Sequence, residues 1–190
     1  TQSFAKTPLD VNAMRIDLLS ASGHKIHGPK GVGVLYVRRR DPRVRCQPLL
    51  HGGGHERGLR SGTLNVPGVV GMGVAATLPF DDGIGTLRDR LEQALVSRLG
   101  DVEVNGHDAT RLGTTTNLSF AGVDGARLMK RMPDLAVSSS SACTSALLQP
   151  SYVLEAMGCD EARARASVRF SLGRFTTEAE IDIAVDTVVE

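Results

Sequence analysis

The chain has 190 residues, 41% hydrophobic and 23% charged, an ordinary globular composition sufficient for one or two domains and unlike that of a disordered segment. Its 22 Lys+Arg against 21 Asp+Glu leave a formal net charge of +1, so no global field draws it to nucleic acid or an anionic membrane. No apolar stretch approaches the roughly 18 residues of a membrane-crossing helix, and the N-terminus has no signal-peptide pattern, so the chain reads as soluble and cytoplasmic.

Residues 16–20 read as a short buried strand and residues 32–37 as a second, rich in β-branched side chains. Between them SGHKIHGPKG, residues 22–31, breaks both periods and predicts a tight hairpin-like connection presenting two lysines and two histidines. A second glycine-rich loop follows at residues 51–63. From Val66 to about Leu78 small apolar residues predict a closely packed helix, stopped by Pro79 and the polar residues after it. A domain boundary is placed near Phe80, with residues 1–79 in one domain and 80–190 in another.

Beyond the boundary, Leu87, Leu91, Leu95 and Leu99 recur every four residues as one face of an amphipathic helix that Gly100 can end. Residues 114–120 and 135–138 read as strands flanking a short helix around residues 126–132, and residues 167–172 as a further strand. In that last strand Val168, Phe170 and Leu172 alternate with a polar side of Ser167, Arg169 and Ser171. Thr177 with Glu180 forms a capping-box pattern ahead of Ile181, Ala184, Val185 and Val188 on one helical face. The second half is thus an α/β unit. The chain starts without an initiator methionine and ends within a helical pattern, so both ends are read as internal to a longer protein.

Four residue sets can carry chemistry. Lys25, between His24 and a Gly/Pro turn, can form a Schiff base with an aldehyde cofactor; Lys30 competes on chemistry alone, and a solvated loop lysine is the plainer reading. HGGGHERGLRSGTLN, residues 51–65, can cradle an anion with backbone amides, Arg57, Arg60, Ser61 and Thr63, or can be a structural loop. Cys143 lies in the small, polar SSSSACTS rather than on an apolar stripe, as a reactive thiol requires, whereas Cys159 fits a buried inert cysteine and Cys46 stays undecided. Arg169 can clasp a carboxylate in bidentate fashion or face solvent. Three cysteines without C-x-x-C spacing argue against disulfides and zinc, and the five histidines lack the H-E-x-x-H pattern, so no metal is expected.

Taken together, TQSFAKTPLDV, SGHKIHGPKGVGVLYVRR, GGGHERGLRSGTLN, SSACTS, PSYVLEAMG and VRFSLGRFTTEAEID resemble, in order and across almost the whole chain, the cysteine desulfurases of the iron–sulfur cluster branch. These are fold-type I enzymes dependent on pyridoxal 5'-phosphate (PLP), within the class V aminotransferase superfamily. The resemblance implies an α/β fold with part of a large PLP-binding domain followed by a smaller C-terminal domain carrying the cysteine loop. It makes Lys25 the cofactor lysine, Gln2 a hydrogen-bond partner of the cofactor's phenolic oxygen, and Ser22 and His24 phosphate ligands. Thr63 matches a residue that reaches the phosphate in a neighbouring subunit, which implies a homodimer. Arg169 matches the residue holding the substrate carboxylate, and Cys143 the cysteine that takes sulfur from L-cysteine as a persulfide, leaving L-alanine, for a scaffold or other acceptor protein.

Two positions depart from the pattern: Ser140 stands where the family has glycine, and His27 where near relatives have tyrosine. The family's aspartate for the pyridine nitrogen and its stacking histidine fall ahead of Thr1, so activity is expected of the complete protein and not of this segment alone. A selenocysteine lyase or other class V enzyme would share Lys25 without requiring Cys143; the other readings are a non-catalytic sulfur-relay or scaffold-binding module and a purely structural α/β domain.

Overall fold

The computed structural model describes residues 1–78, 80, 83–139 and 151–190. Two compact units, Thr1–Phe80 and Asp81–Glu190, divide the chain.

In the first unit, strands β1 (Leu18–Ser22) and β2 (Gly33–Val37) pair antiparallel, with Leu18 opposite Val37 and Ser22 opposite Gly33. The predicted first strand begins two residues later than expected. The Ile16 N–H is spent on the Val11 carbonyl, and Arg38 takes the carbonyls of Ile16 and Val11. Arg38 is buried; it also donates to Asp17 at 2.9 Å and Asn12 at 3.1 Å, so its guanidinium pins the segment before β1 onto the end of β2. Helix α1 (Val66–Thr77) starts at Asn65, whose side chain accepts from the Gly68 N–H, a capping contact that satisfies one of the free amides of the first turn. It turns Gly68, Met72 and Ala75 inward and leaves Val66, Val69, Val70 and Val74 exposed within this unit. The expected close packing therefore holds for one face only.

The second unit is a three-stranded antiparallel sheet in the order β3 (Val102–Val104), β4 (Thr115–Phe120), β5 (Ser167–Ser171), covered by α2 (Gly83–Leu99) and α6 (Glu178–Val189). Leu91 and Leu95 of the predicted leucine face are buried, Leu87 and Leu99 partly so, and Ile84 joins them against Ile181, Val185, Val188, Leu118, Val168 and Phe170. Each fully buried aliphatic side chain contributes about 1.5–3 kcal/mol. Gly100 closes α2 at φ 74°, and the Thr177–Glu180 capping box is formed on both sides. Shorter helices α3 (Gly125–Arg131), α4 (Tyr152–Ala156) and α5 (Glu161–Arg165) complete the unit.

Three expectations change here. Residues 135–138 do not form a strand: Leu135 N–H turns back to Met132 and Val137 N–H to Leu135, and the segment meets the sheet through a single bridge from Ser138 to Arg169. Strand β3 goes unnoticed in the sequence because three residues are too few to show a period. Ser167 does not face solvent; its hydroxyl lies 2.8 Å from that of Ser119 and donates to the Arg163 carbonyl at 2.7 Å, while Asn105 Nδ2 reaches Ser119, Ser167 and Asn117. A buried hydroxyl is tolerable when it is bonded in this way.

Within that same core lies an ion pair. Glu92 on α2 is 7% exposed and accepts from both Nη1 and Nη2 of Arg111, at 2.7 and 3.1 Å, with Arg88 Nε 3.5 Å away. Burial would raise its carboxyl pKa; hydrogen bonds from Arg111 and Thr116 and the charges of Arg111 and Arg88 outweigh that, holding the group below its ordinary value.

Candidate active site

The Lys25 turn is built by strand pairing and closed by glycine. Strand β1 ends at Ser22, the chain makes a 3-10 turn over Gly23–Ile26, and His27 closes it in the left-handed region at φ 62°. Gly23 N–H donates to the Val32 carbonyl and Gly28 N–H to the Gly23 carbonyl, both at 2.9 Å. A Cβ on Gly23 would sit 2.8 Å from the Pro29 carbonyl oxygen and 3.0 Å from Val32 Cγ1, closer than side-chain carbons pack, so the turn needs glycine here. Ile26 is fully buried and anchors the turn.

This base carries Ser22, His24 and Lys25, and the side chains of the first two meet. Ser22 Oγ lies 2.9 Å from His24 Nδ1. The Thr1 hydroxyl donates to the Ser20 carbonyl at 3.0 Å, which brings the segment carrying Gln2 alongside β1 just before Ser22. Lys25 is partly buried and joins no ion pair or hydrogen bond among the described residues, whereas Lys30 is exposed. The arrangement offers a hydroxyl, an imidazole and an uncommitted amine on a rigid turn, the donor set that an anionic aldehyde cofactor requires.

The glycine-rich loop has a turn-rich backbone. Glu56 and Arg57 occupy left-handed conformations without being glycines, followed by Gly58 at φ 82°. Ser61 is buried and spends its hydroxyl on the Gly53 carbonyl at 2.6 Å, while Arg60 is exposed, donates from Nη1 to the Gly62 carbonyl and keeps its other N–H groups available. Thr63 is exposed and has no hydrogen bond to the Lys25 turn.

In the second unit, Arg169 sits on β5 opposite Asn117 of β4, and on its other side exchanges backbone hydrogen bonds with Ser138 at 2.6 and 3.2 Å. Its Nε is buried without a hydrogen-bond partner among the described residues, a donor available to a ligand. Ser140 and Cys143 lie outside the described residues. Cys159 is partly exposed rather than buried; its thiol lies 3.6 Å from Asn105 Oδ1, to which Arg163 Nε also donates at 3.0 Å. The sequence reading passed over Lys6, within the same TQSFAKTPLDV motif as Gln2, and the anchoring of Ser138.

The aminotransferase class-V family matches residues 1–183. The chain is 52% identical over 193 residues to the protein named cysteine desulfurase IscS in Rickettsia bellii, covering 98% of this chain and 47% of that protein. It thus spans about half the length of the curated relatives it matches. Among solved structures, a NifS-like protein from Rickettsia africae superposes with a TM-score of 0.86 at 28% identity, over 98% of this chain and 50% of the other. Another NifS-like protein gives 0.84 at 34% identity, over 100% and 50%. With a family match over nearly its full length, the chain belongs to the aminotransferase class-V family.

Proposed function

We propose that the complete protein is a PLP-dependent cysteine desulfurase, converting L-cysteine to L-alanine and passing the sulfur to Cys143 as a persulfide. The observation that carries the reading is the glycine-closed turn presenting Lys25, its amine without an ion-pair partner among the described residues, next to the Ser22–His24 pair. Relatives named cysteine desulfurase support it. Class V aminotransferases depend on PLP, and the residues of this turn suit it: Lys25 would hold the aldehyde carbon, Ser22 and His24 the phosphate and Gln2 the phenolic oxygen. When bound, the cofactor withdraws electrons from the substrate carbon skeleton.

This chain's residues perform the remaining tasks. Arg169 clasps the substrate carboxylate with its guanidinium fork, orienting the amino acid. Lys25 would carry protons to and from the substrate at its Nζ. The Cys143 thiolate attacks the substrate sulfur; an S–S bond forms as the C–S bond breaks, the carbon fragment gains the proton and leaves as alanine, and Cys143 keeps the persulfide.

Domain roles follow the same reading: residues 1–79 supply the C-terminal part of the large PLP-binding domain and residues 80–190 the small domain with the cysteine loop. Val34 and Leu35, neighbours pointing to opposite faces of β2, are both exposed, the pattern of a strand covered on both sides by the rest of a large domain. A homodimer is proposed, with Thr63 reaching the partner's cofactor phosphate; the exposure of Thr63 and of Leu49, Leu59 and Leu64 on the flanking segments supports it. The persulfide is proposed to serve an iron–sulfur scaffold or other acceptor protein in the cytoplasm; among the described residues no helix is long and apolar enough to cross a membrane.

The test is spectroscopic and uses the complete protein. PLP addition is expected to give a visible absorption band that Lys25→Ala loses, and L-cysteine to yield alanine with sulfide under reductant. Cys143→Ala should keep the band and lose sulfur transfer. A band indifferent to Lys25, or full turnover without Cys143, refutes the proposal.

A further inference from the structure

A second ammonium stands beside the Lys25 turn. Lys6 follows Gln2 by four residues, on a turn where the N–H groups of Lys6 and Thr7 both donate to the Ser3 carbonyl, at 3.0 and 3.2 Å, and Ala5 is held at φ 57°. That closure aims the lysine stem, and its Nζ lies 5.5 Å from the centroid of the Phe80 ring, within the range at which an aromatic face attracts a cation. The ring of His27, the residue that closes the Lys25 turn, lies 5.7 Å from the same Phe80 ring, at 41°. One aromatic side chain is therefore shared by Lys6 and by the residue two beyond Lys25.

Lys6 is partly buried, and among the described residues neither it nor Lys25 pairs with a carboxylate; the ion pair described in this unit is Arg38 with Asp17. Burial and the charge of Lys25 lower the Lys6 pKa below its usual value. Two partly buried ammonium groups with no counter-charge among the described residues repel one another, and a bound anion relieves that repulsion. Gln2, Ser22 and His24, on the adjoining segments, offer hydrogen bonds but no negative charge.

We infer that Lys6 is a second ligand-binding cation of the Lys25 site, contacting an anionic oxygen of the bound molecules, either the cofactor phosphate or the substrate carboxylate. The inference rests on the reading of Lys25 given above. Phe80 holds the ammonium at the edge of the site until the anion arrives, and removing the charge weakens whichever ligand Lys6 contacts.

The experiment compares Lys6→Met, which keeps the stem, and Lys6→Arg, which keeps the charge, in the complete protein. Loss of one charged hydrogen bond corresponds to about a tenfold change. If Lys6 meets the phosphate, Lys6→Met weakens PLP binding about tenfold and leaves pyridoxal, which lacks the phosphate, unaffected. If it meets the carboxylate, PLP affinity holds and the KM for L-cysteine rises about tenfold. Lys6→Arg restores most of either loss. Affinity and KM both within twofold of wild type overturn the inference and leave Lys6 as a packing cation on Phe80, whatever happens to the melting temperature. A wild-type measurement covers the case of a variant that does not fold: acetylation of Lys6 by acetic anhydride, read by mass spectrometry, should slow about fivefold with PLP bound or once L-alanine is added, and an unchanged rate in both states overturns the inference. Absence of a Lys25-dependent absorption band in the wild type would instead remove the reading of the site itself.

Discussion

Replacing Glu92 with alanine should destabilise the second unit far more than removal of a surface ion pair. The carboxylate is 7% exposed and receives two hydrogen bonds from Arg111, whose side chain is itself only 20% exposed. Deleting it leaves a guanidinium half-sunk in the core without a counter-charge, a loss of about 3–5 kcal/mol. The exposed pairs between α2 and α6, such as Arg98 with Asp186 at 2.6 Å, contribute about 0–1 kcal/mol by comparison. Amide hydrogen exchange in α2 and β4 reports on this unit alone; protection there should fall by about two to three orders of magnitude in Glu92→Ala, since each factor of ten is about 1.4 kcal/mol. Removing both charges, with Glu92→Leu and Arg111→Met together, should recover much of the loss. The effect also depends on pH. Because the folded carboxyl pKa is depressed, its stabilisation is fully present above the unfolded value of about 4.3 and is lost as pH falls through the lower folded value. The gap between wild type and Glu92→Gln should therefore close in acid. A Glu92→Ala variant within about 1 kcal/mol of wild type at neutral pH would refute this reasoning.

Three further outcomes are expected. Arg169→Lys in the complete protein should raise the KM for L-cysteine about tenfold or more with PLP affinity unchanged, because a point charge cannot reproduce the guanidinium fork; steady-state kinetics with a PLP titration checks it. Gly23→Ala should force the turn open against the Pro29 carbonyl at 2.8 Å, costing about 1–3 kcal/mol and diminishing the Lys25-dependent absorption band, as thermal unfolding and a visible spectrum would show. Thr177→Val should remove the α6 cap and cost about 0.5–2 kcal/mol, with faster amide exchange confined at first to the start of α6.

Periodicity and capping chemistry are properties of contiguous residues, and these were legible in the sequence. The leucine face of α2, the Thr177–Glu180 box, the Gly100 turn and the placing of Lys25 between two strands all follow from local rules. So did the long ordered motifs, which identify the lysine turn without reference to any neighbour in space. What local rules cannot supply is the use a buried polar atom finds across the chain. Ser61, Ser167 and Glu92 are polar residues whose burial no local pattern announces, and each is buried where a partner 8 to 48 residues away satisfies it. Residues 135–138 have the composition of a strand, but hydrogen bonds to their own neighbours use their donors first. Lys6 illustrates the limit most clearly: in sequence it is a turn lysine, and only the folded chain brings it over Phe80, the ring that His27 also meets. Sequence determined which residues form each element, because backbone preference is local; tertiary structure decided which polar groups are spent and which remain available, because satisfaction of a buried donor or charge depends on what folding brings within about 3 Å of it.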